Sequence, residues 1–92
     1  MGQFKNIEFL KLVGSRIESI RKSKNLSHEI LAERMHLNDV RQIGRVINAE
    51  TNFSTSEIYR FAIALGVHPK ELLDFDFELN PDYIPPLPKK NK

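Results

Sequence analysis

The sequence predicts an all-α fold, a five-helix bundle followed by an extended C-terminal arm. Three observations predict it. Apolar residues recur at steps of three and four over most of the chain, the period of a helix with one buried side. Serine, asparagine and glycine stand where helices start and stop. After Asp74 the pattern turns to strict alternation and then to prolines, which a helix interior does not tolerate. At 92 residues the chain makes one domain with a thin core. The helical domain is expected over residues 1–74 and the arm over 75–92.

The first helix is expected from Ile7 to about Lys24, with Leu10, Val13, Ile17 and Ile20 on one side. Asn25 ends it, because asparagine tolerates the left-handed conformation. Ser27 is a good cap for the second, since its hydroxyl accepts an orphan N–H of the first turn. Ile30, Leu31 and Met35 are expected to face inward, and Ala32 allows a close helix contact. Asn38 or Asp39 caps the third segment, Val40 to Asn48. Its inward stripe is Ile43, Val46 and Ile47, with Arg41, Gln42, Gly44, Arg45 and Asn48 on the other side. Ser54-Thr55-Ser56-Glu57 reads as a capping box before Ile58, Phe61, Ala62 and Leu65. Gly66 stops that fourth helix. Pro69 suits the first position of a short fifth helix that turns Leu72 and Leu73 to the core. Asp74 to Leu79 alternates as a strand does, Asn80-Pro81 is a turn, and Pro85-Pro86-Leu87-Pro88 favours an extended polyproline conformation.

Composition narrows the function classes. Hydrophobic residues are 40% and charged residues 28%, ordinary for a globular domain. The absence of cysteine removes disulfides, thiolate metal sites and cysteine nucleophiles together, and suits a reducing cytosol. No apolar run approaches the roughly 20 residues that span a bilayer, and MGQFKNIEF lacks the apolar region of a signal peptide. No membrane association is expected. His28, Glu29, Glu33 and His36 do not share one helix face and complete no tetrahedral metal site. There is no nucleophile elbow and no phosphate-binding glycine loop, so no catalytic residue, metal or cofactor is assigned and no enzyme is expected.

The net charge is only +2, but its distribution is uneven. Phe9 to Asn52 holds eight bases (Lys11, Arg16, Arg21, Lys22, Lys24, Arg34, Arg41, Arg45) against five acids (Glu18, Glu29, Glu33, Asp39, Glu50). Glu71 to Asp82 holds five acids and no base. A mildly basic body with an acidic tail is compatible with one face binding nucleic acid.

Two short helices joined by a brief turn, between a longer helix and a capped fourth, form a helix-turn-helix arrangement. Over about Val13 to Leu73 the chain resembles the lambda-repressor/Cro-like, or XRE-type, family. The carriers are Arg16 to Ser27, Leu31-Ala32-Glu33-Arg34, Gln42-Ile43-Gly44-Arg45 and Ala62-Ile63-Ala64-Leu65-Gly66-Val67. The resemblance implies a lambda-repressor-like helix-turn-helix bundle whose third helix enters the major groove of double-stranded DNA. It implies Arg41, Gln42 and Arg45 as readers of base edges, arginine pairing with guanine and glutamine with adenine. It implies phosphate contacts from Lys24, Ser27, His28, Asn48, Thr51 and Asn52. It also implies a cytoplasmic protein of the bacterial nucleoid that regulates transcription in a sequence-specific way. The turn from His36 to Val40 is one residue longer than the family's usual one. Ile47 stands where many members carry a glutamate that pairs with the first-helix arginine. Arg21 is then left to pair with Glu50 or to meet phosphate. His28 and Ala49 replace the family's frequent glutamine and glycine.

A two-fold dimer reads two half-sites about 34 Å apart, so a homodimer is expected. Its surface is expected from the last two helices and from Phe75, Phe77 and Leu79. The same three residues pack equally well on their own domain. An alternative reading keeps the fold but makes it a protein-interaction module, of antitoxin or anti-repressor type, that grips a protein partner through the arm from Phe75 to Leu87.

Overall fold

The computed structural model describes residues 6–52 and 54–77. Four α-helices and a 3-10 helix follow in order: α1 (Ile7–Ser23), α2 (His28–Arg34), α3 (Arg41–Ile47), α4 (Thr55–Leu65) and the 3-10 helix Pro69–Leu73. The fifth α-helix expected from Pro69 is therefore a single tight turn. It is five residues long with Pro69 included, and its bonds run three residues back, from the Glu71 N–H to the His68 carbonyl and from the Asp74 N–H to the Glu71 carbonyl.

The helix starts are set by side chains. Asn6 Oδ1 accepts the Phe9 N–H at 2.9 Å, and Ser27 Oγ accepts the Ile30 N–H at 3.0 Å. Ser54 and Glu57 form the reciprocal capping box expected of them. Helix α3 starts differently. Val40 occupies its cap position without a side-chain bond, and Asp39 Oδ1, one residue earlier, accepts the Arg41 N–H at 2.9 Å.

All four α-helices stop in the same way. Asn25, His36, Ala49 and Gly66 have φ of 58°, 58°, 61° and 75°. In each case the next residue donates its N–H five residues back: Leu26 to Arg21, Leu37 to Ala32, Glu50 to Arg45 and Val67 to Ala62. Leu26, Leu37 and Val67 also pack against the core, as this kind of stop favours. Only the last uses glycine. The His36 and Ala49 stops carry no compositional signal for a left-handed residue.

The core runs through the bundle along Val13, Ile17, Leu31, Ile43, Phe61, Leu65 and Leu72, all essentially inaccessible. Two apolar residues expected inside are not. Ile30 is 40% exposed and Leu73 46% exposed, each beside a leucine (Leu31, Leu72) that takes the inward direction. Helix neighbours are about 100° apart, so one of each pair turns out. The pairing of α1 with α3 is unusually close. A Cβ at Gly14 would lie 2.4 Å from the Ile47 carbonyl oxygen, so only glycine lets α3 sit at this depth. Helices α2 and α4 are pinned twice: Arg34 Nη1 donates to the Ala64 carbonyl at 2.8 Å, and Arg60 donates to the Met35 carbonyl.

The alternation after Asp74 does not make a strand within the described residues. It does put Phe75 and Phe77 on one side of the chain, and both meet Phe9 of α1 edge-on, with ring centroids 5.7 and 5.4 Å away. The start of the arm thus packs on its own domain. Leu79, the third residue assigned to that surface, lies outside the described residues.

Candidate nucleic-acid interface

Helix α3 has a buried and an open side. Ile43 and Val46 are inside, and Ile47 is packed against the core. Arg41, Gln42, Arg45 and Asn48 are exposed. Gly44 stands at the border of that open side and is uncrowded, for a Cβ there would meet no atom within 4 Å. Nothing in the fold requires glycine at that position, although it costs about 1 kcal/mol against alanine in a helix interior. Thr51 and Asn52 follow α3 on the surface and join Gln42 and Arg45 around one open groove of about 210 Å³, walled by Val46 and Phe61.

The partners of the arginines decide what this surface offers. Arg16 Nε donates to the Glu71 carbonyl at 2.7 Å, and its Nη2 lies 3.2 Å from the Glu71 carboxylate. Arg34 and Arg60 bind carbonyls, as described. Arg21 donates to Glu18 and to the Leu26 carbonyl, so neither Glu50 nor an open phosphate contact is needed to satisfy it. Arg41 is joined to Asp39 at 2.8 Å. Among the described residues Arg45 is the one arginine whose side chain makes no hydrogen bond or ion pair. Several of the bases counted in the sequence therefore hold the bundle together, while the Arg45 guanidinium stays open to solvent.

The expected phosphate-contacting residues fall into two groups. Lys24 and Thr51 are exposed, beyond the ends of α1 and α3 respectively, as is Asn52. Ser27 uses its hydroxyl to cap α2. His28, the first residue of α2, is partly buried, with Nε2 3.2 Å from Glu18 Oε1. Glu18 consequently has two partners on one carboxylate. The Arg21 hydrogen bonds, aided by His28 and opposed by burial, lower its pKa to about 2. Asp39 is likewise lowered to about 2, by hydrogen bonds from the Arg41 side chain and then from the Arg41 backbone. Sequence reasoning offered Asp39 as a cap for this helix but missed its hold on the Arg41 side chain, and it missed Glu18 altogether. The signals were present: Glu18 and Arg21 at helical spacing, and an aspartate two residues before the first helical residue.

Comparison with known proteins agrees with this geometry. A family model described as helix-turn-helix matches residues 17–72. The crystal structure of the restriction-modification controller protein C.AhdI from Aeromonas hydrophila is 36% identical, with a TM-score of 0.64 over 68% of this chain and 94% of that one. A hypothetical transcription factor, NHTF from Neisseria, is 25% identical, with a TM-score of 0.66 over 89% of this chain and 88% of that one. No curated protein sequence matches the chain.

Proposed function

Because the chain belongs to the XRE-type helix-turn-helix family of DNA-binding regulators, we propose that it is a sequence-specific transcription regulator that binds operator DNA as a homodimer. The observation that carries the reading is the two-sidedness of α3: its apolar side is locked into the core while the side chains of Gln42 and Arg45 stand outside, unpaired, at one open groove. Arg41, Gln42 and Arg45 read base edges. Lys24, Thr51 and Asn52 take phosphates at the flanks, with Asn48 beside them at the end of α3. Ser27 and His28 act at the start of α2, where the hydroxyl and imidazole already serve the fold and the backbone meets the phosphate.

The second copy docks on the outer face of α4. Tyr59 and Ile63, one turn apart, are 59% and 58% exposed, and Leu73 is exposed on the 3-10 helix that packs against α4. The restriction-modification controller and the transcription factor that the chain resembles support the regulatory role. The interaction-module reading is the weaker one, since Phe75 and Phe77, two of its anchors, are turned toward Phe9.

Selection of bound sequences from random duplexes, run at two salt concentrations, tests the proposal. The expected result is an enriched palindrome with half-site centres about one helical turn apart, whose affinity falls steeply as salt rises. Failure to enrich any sequence, with binding indifferent to salt, contradicts it.

A further inference from the structure

We propose that Asp39 is a specificity-determining residue for DNA, holding Arg41 so that its guanidinium presents a fixed fork to guanine. The inference rests on α3 being the groove-facing helix and adds a residue that the resemblance does not assign. It comes from how the two side chains meet. Arg41 Nε lies 3.1 Å from both carboxylate oxygens of Asp39, and Nη2 lies 2.8 Å from Oδ2. The carboxylate therefore occupies the Nε side of the guanidinium and uses two of its five N–H donors. The opposite edge, the remaining N–H of Nη2 and both of Nη1, is uncommitted. That edge carries two parallel N–H groups, the arrangement that meets the O6 and N7 acceptors of guanine in the major groove.

Asp39 is itself held. Its Oδ1 accepts the Arg41 backbone N–H at 2.9 Å, which ties the carboxylate to the first turn of α3. The Arg41 side chain is 77% exposed and that of Asp39 32%, so the fork stands outside the bundle on a braced stem. An unbraced arginine loses rotamer freedom when it docks, and a braced one has already lost it. Exposed ion pairs contribute little to stability, so the effect of this one is expected in recognition. The carboxylate also repels phosphate, which steers the fork away from the DNA backbone. The Arg41 hydrogen bonds lower the Asp39 pKa, with Arg45, one turn further along α3, adding the smallest contribution.

The test is selection from random duplexes with the wild-type protein, D39N, R41A and the double variant D39N/R41A, with thermal melting alongside. The D39N side chain keeps an oxygen for the Arg41 N–H and therefore preserves the start of α3. The expected result is that D39N still binds duplex DNA but loses about tenfold of the preference for guanine at one position of each half-site. R41A abolishes that preference, and the double variant matches R41A. Unchanged guanine preference in a DNA-binding D39N overturns the proposal. So does a double variant with a different base preference from R41A, since Asp39 would then act independently of Arg41. If D39N does not melt cooperatively, R41K decides, because lysine keeps the charge and lacks the fork: retained guanine preference overturns the proposal. A wild-type protein that selects no sequence overturns the parent reading of α3, and this one with it.

Discussion

Gly44 is placed where the free protein has no use for it. Its helix position favours alanine, and a methyl group there would touch nothing in the fold. The account of α3 gives it a purpose as clearance for a base edge or sugar. Gly44→Ala is therefore expected to raise stability by up to about 1 kcal/mol while weakening DNA binding. Thermal melting and a duplex titration on the same variant check the two signs. A variant both more stable and equally tight would show that nothing approaches Gly44. The arginines carry a related lesson. In the sequence they are equivalent bases; in the structure most have been given to carbonyls and carboxylates, and among the described ones only the Arg45 side chain has not.

At the scale of elements, the interface depends on contacts that set where α2 and α3 sit. Gly14 lets α3 lie against α1, and Glu18 joins α1 to the start of α2 through His28 while also holding Arg21. Folding lowers the Glu18 pKa to about 2 from an ordinary 4.5, so the unfolded chain binds more protons between those values. The stabilisation is complete above the ordinary pKa and is lost as pH falls from about 4.5 toward 2. Glu18→Gln is expected to be less stable than wild type at neutral pH, by about 1–2 kcal/mol, because Arg21 loses its charged partner. The gap should narrow as pH drops through that window, as melting curves between pH 6 and pH 2.5 will show. A gap constant with pH would mean that the carboxylate charge is not what matters.

For the whole molecule, recognition of a palindrome needs two copies. Ile63→Asp places a charge on the exposed face of α4, outside the core of the single chain. It is expected to leave the thermal melt of the monomer nearly unchanged, to shift the protein to monomer in sedimentation, and to cost at least about tenfold in affinity for a two-half-site duplex. A dimer of undiminished strength would move the interface elsewhere.

The fold was legible because its signals are local. The periodicity of α1, the Ser27 and Ser54 caps and the Gly66 stop lie within a few residues of the elements they define. What was not legible is nonlocal or lacks a distinctive residue. The left-handed stops at His36 and Ala49 use residues that do not announce a turn. The partner of Arg16 is 55 positions away at Glu71, and Phe75 meets Phe9 across the whole domain. The period-two run from Asp74 reported correctly which side Phe75 and Phe77 share and said nothing of what they pack on. Arg21 was left in the sequence with a choice of partners, and the structure gives it Glu18 and the Leu26 carbonyl.

The central claim is that the open side of α3 distinguishes bases while the flanks only hold the backbone. Binding of Arg45→Ala and Lys24→Ala to the selected operator and to an unrelated duplex, at one salt concentration, tests it most directly. Arg45→Ala is expected to lose about 1–3 kcal/mol on the operator and much less on the unrelated duplex, so the ratio between them collapses. Lys24→Ala is expected to weaken both alike and leave the ratio intact. Equal losses on the two duplexes for Arg45→Ala would contradict the account.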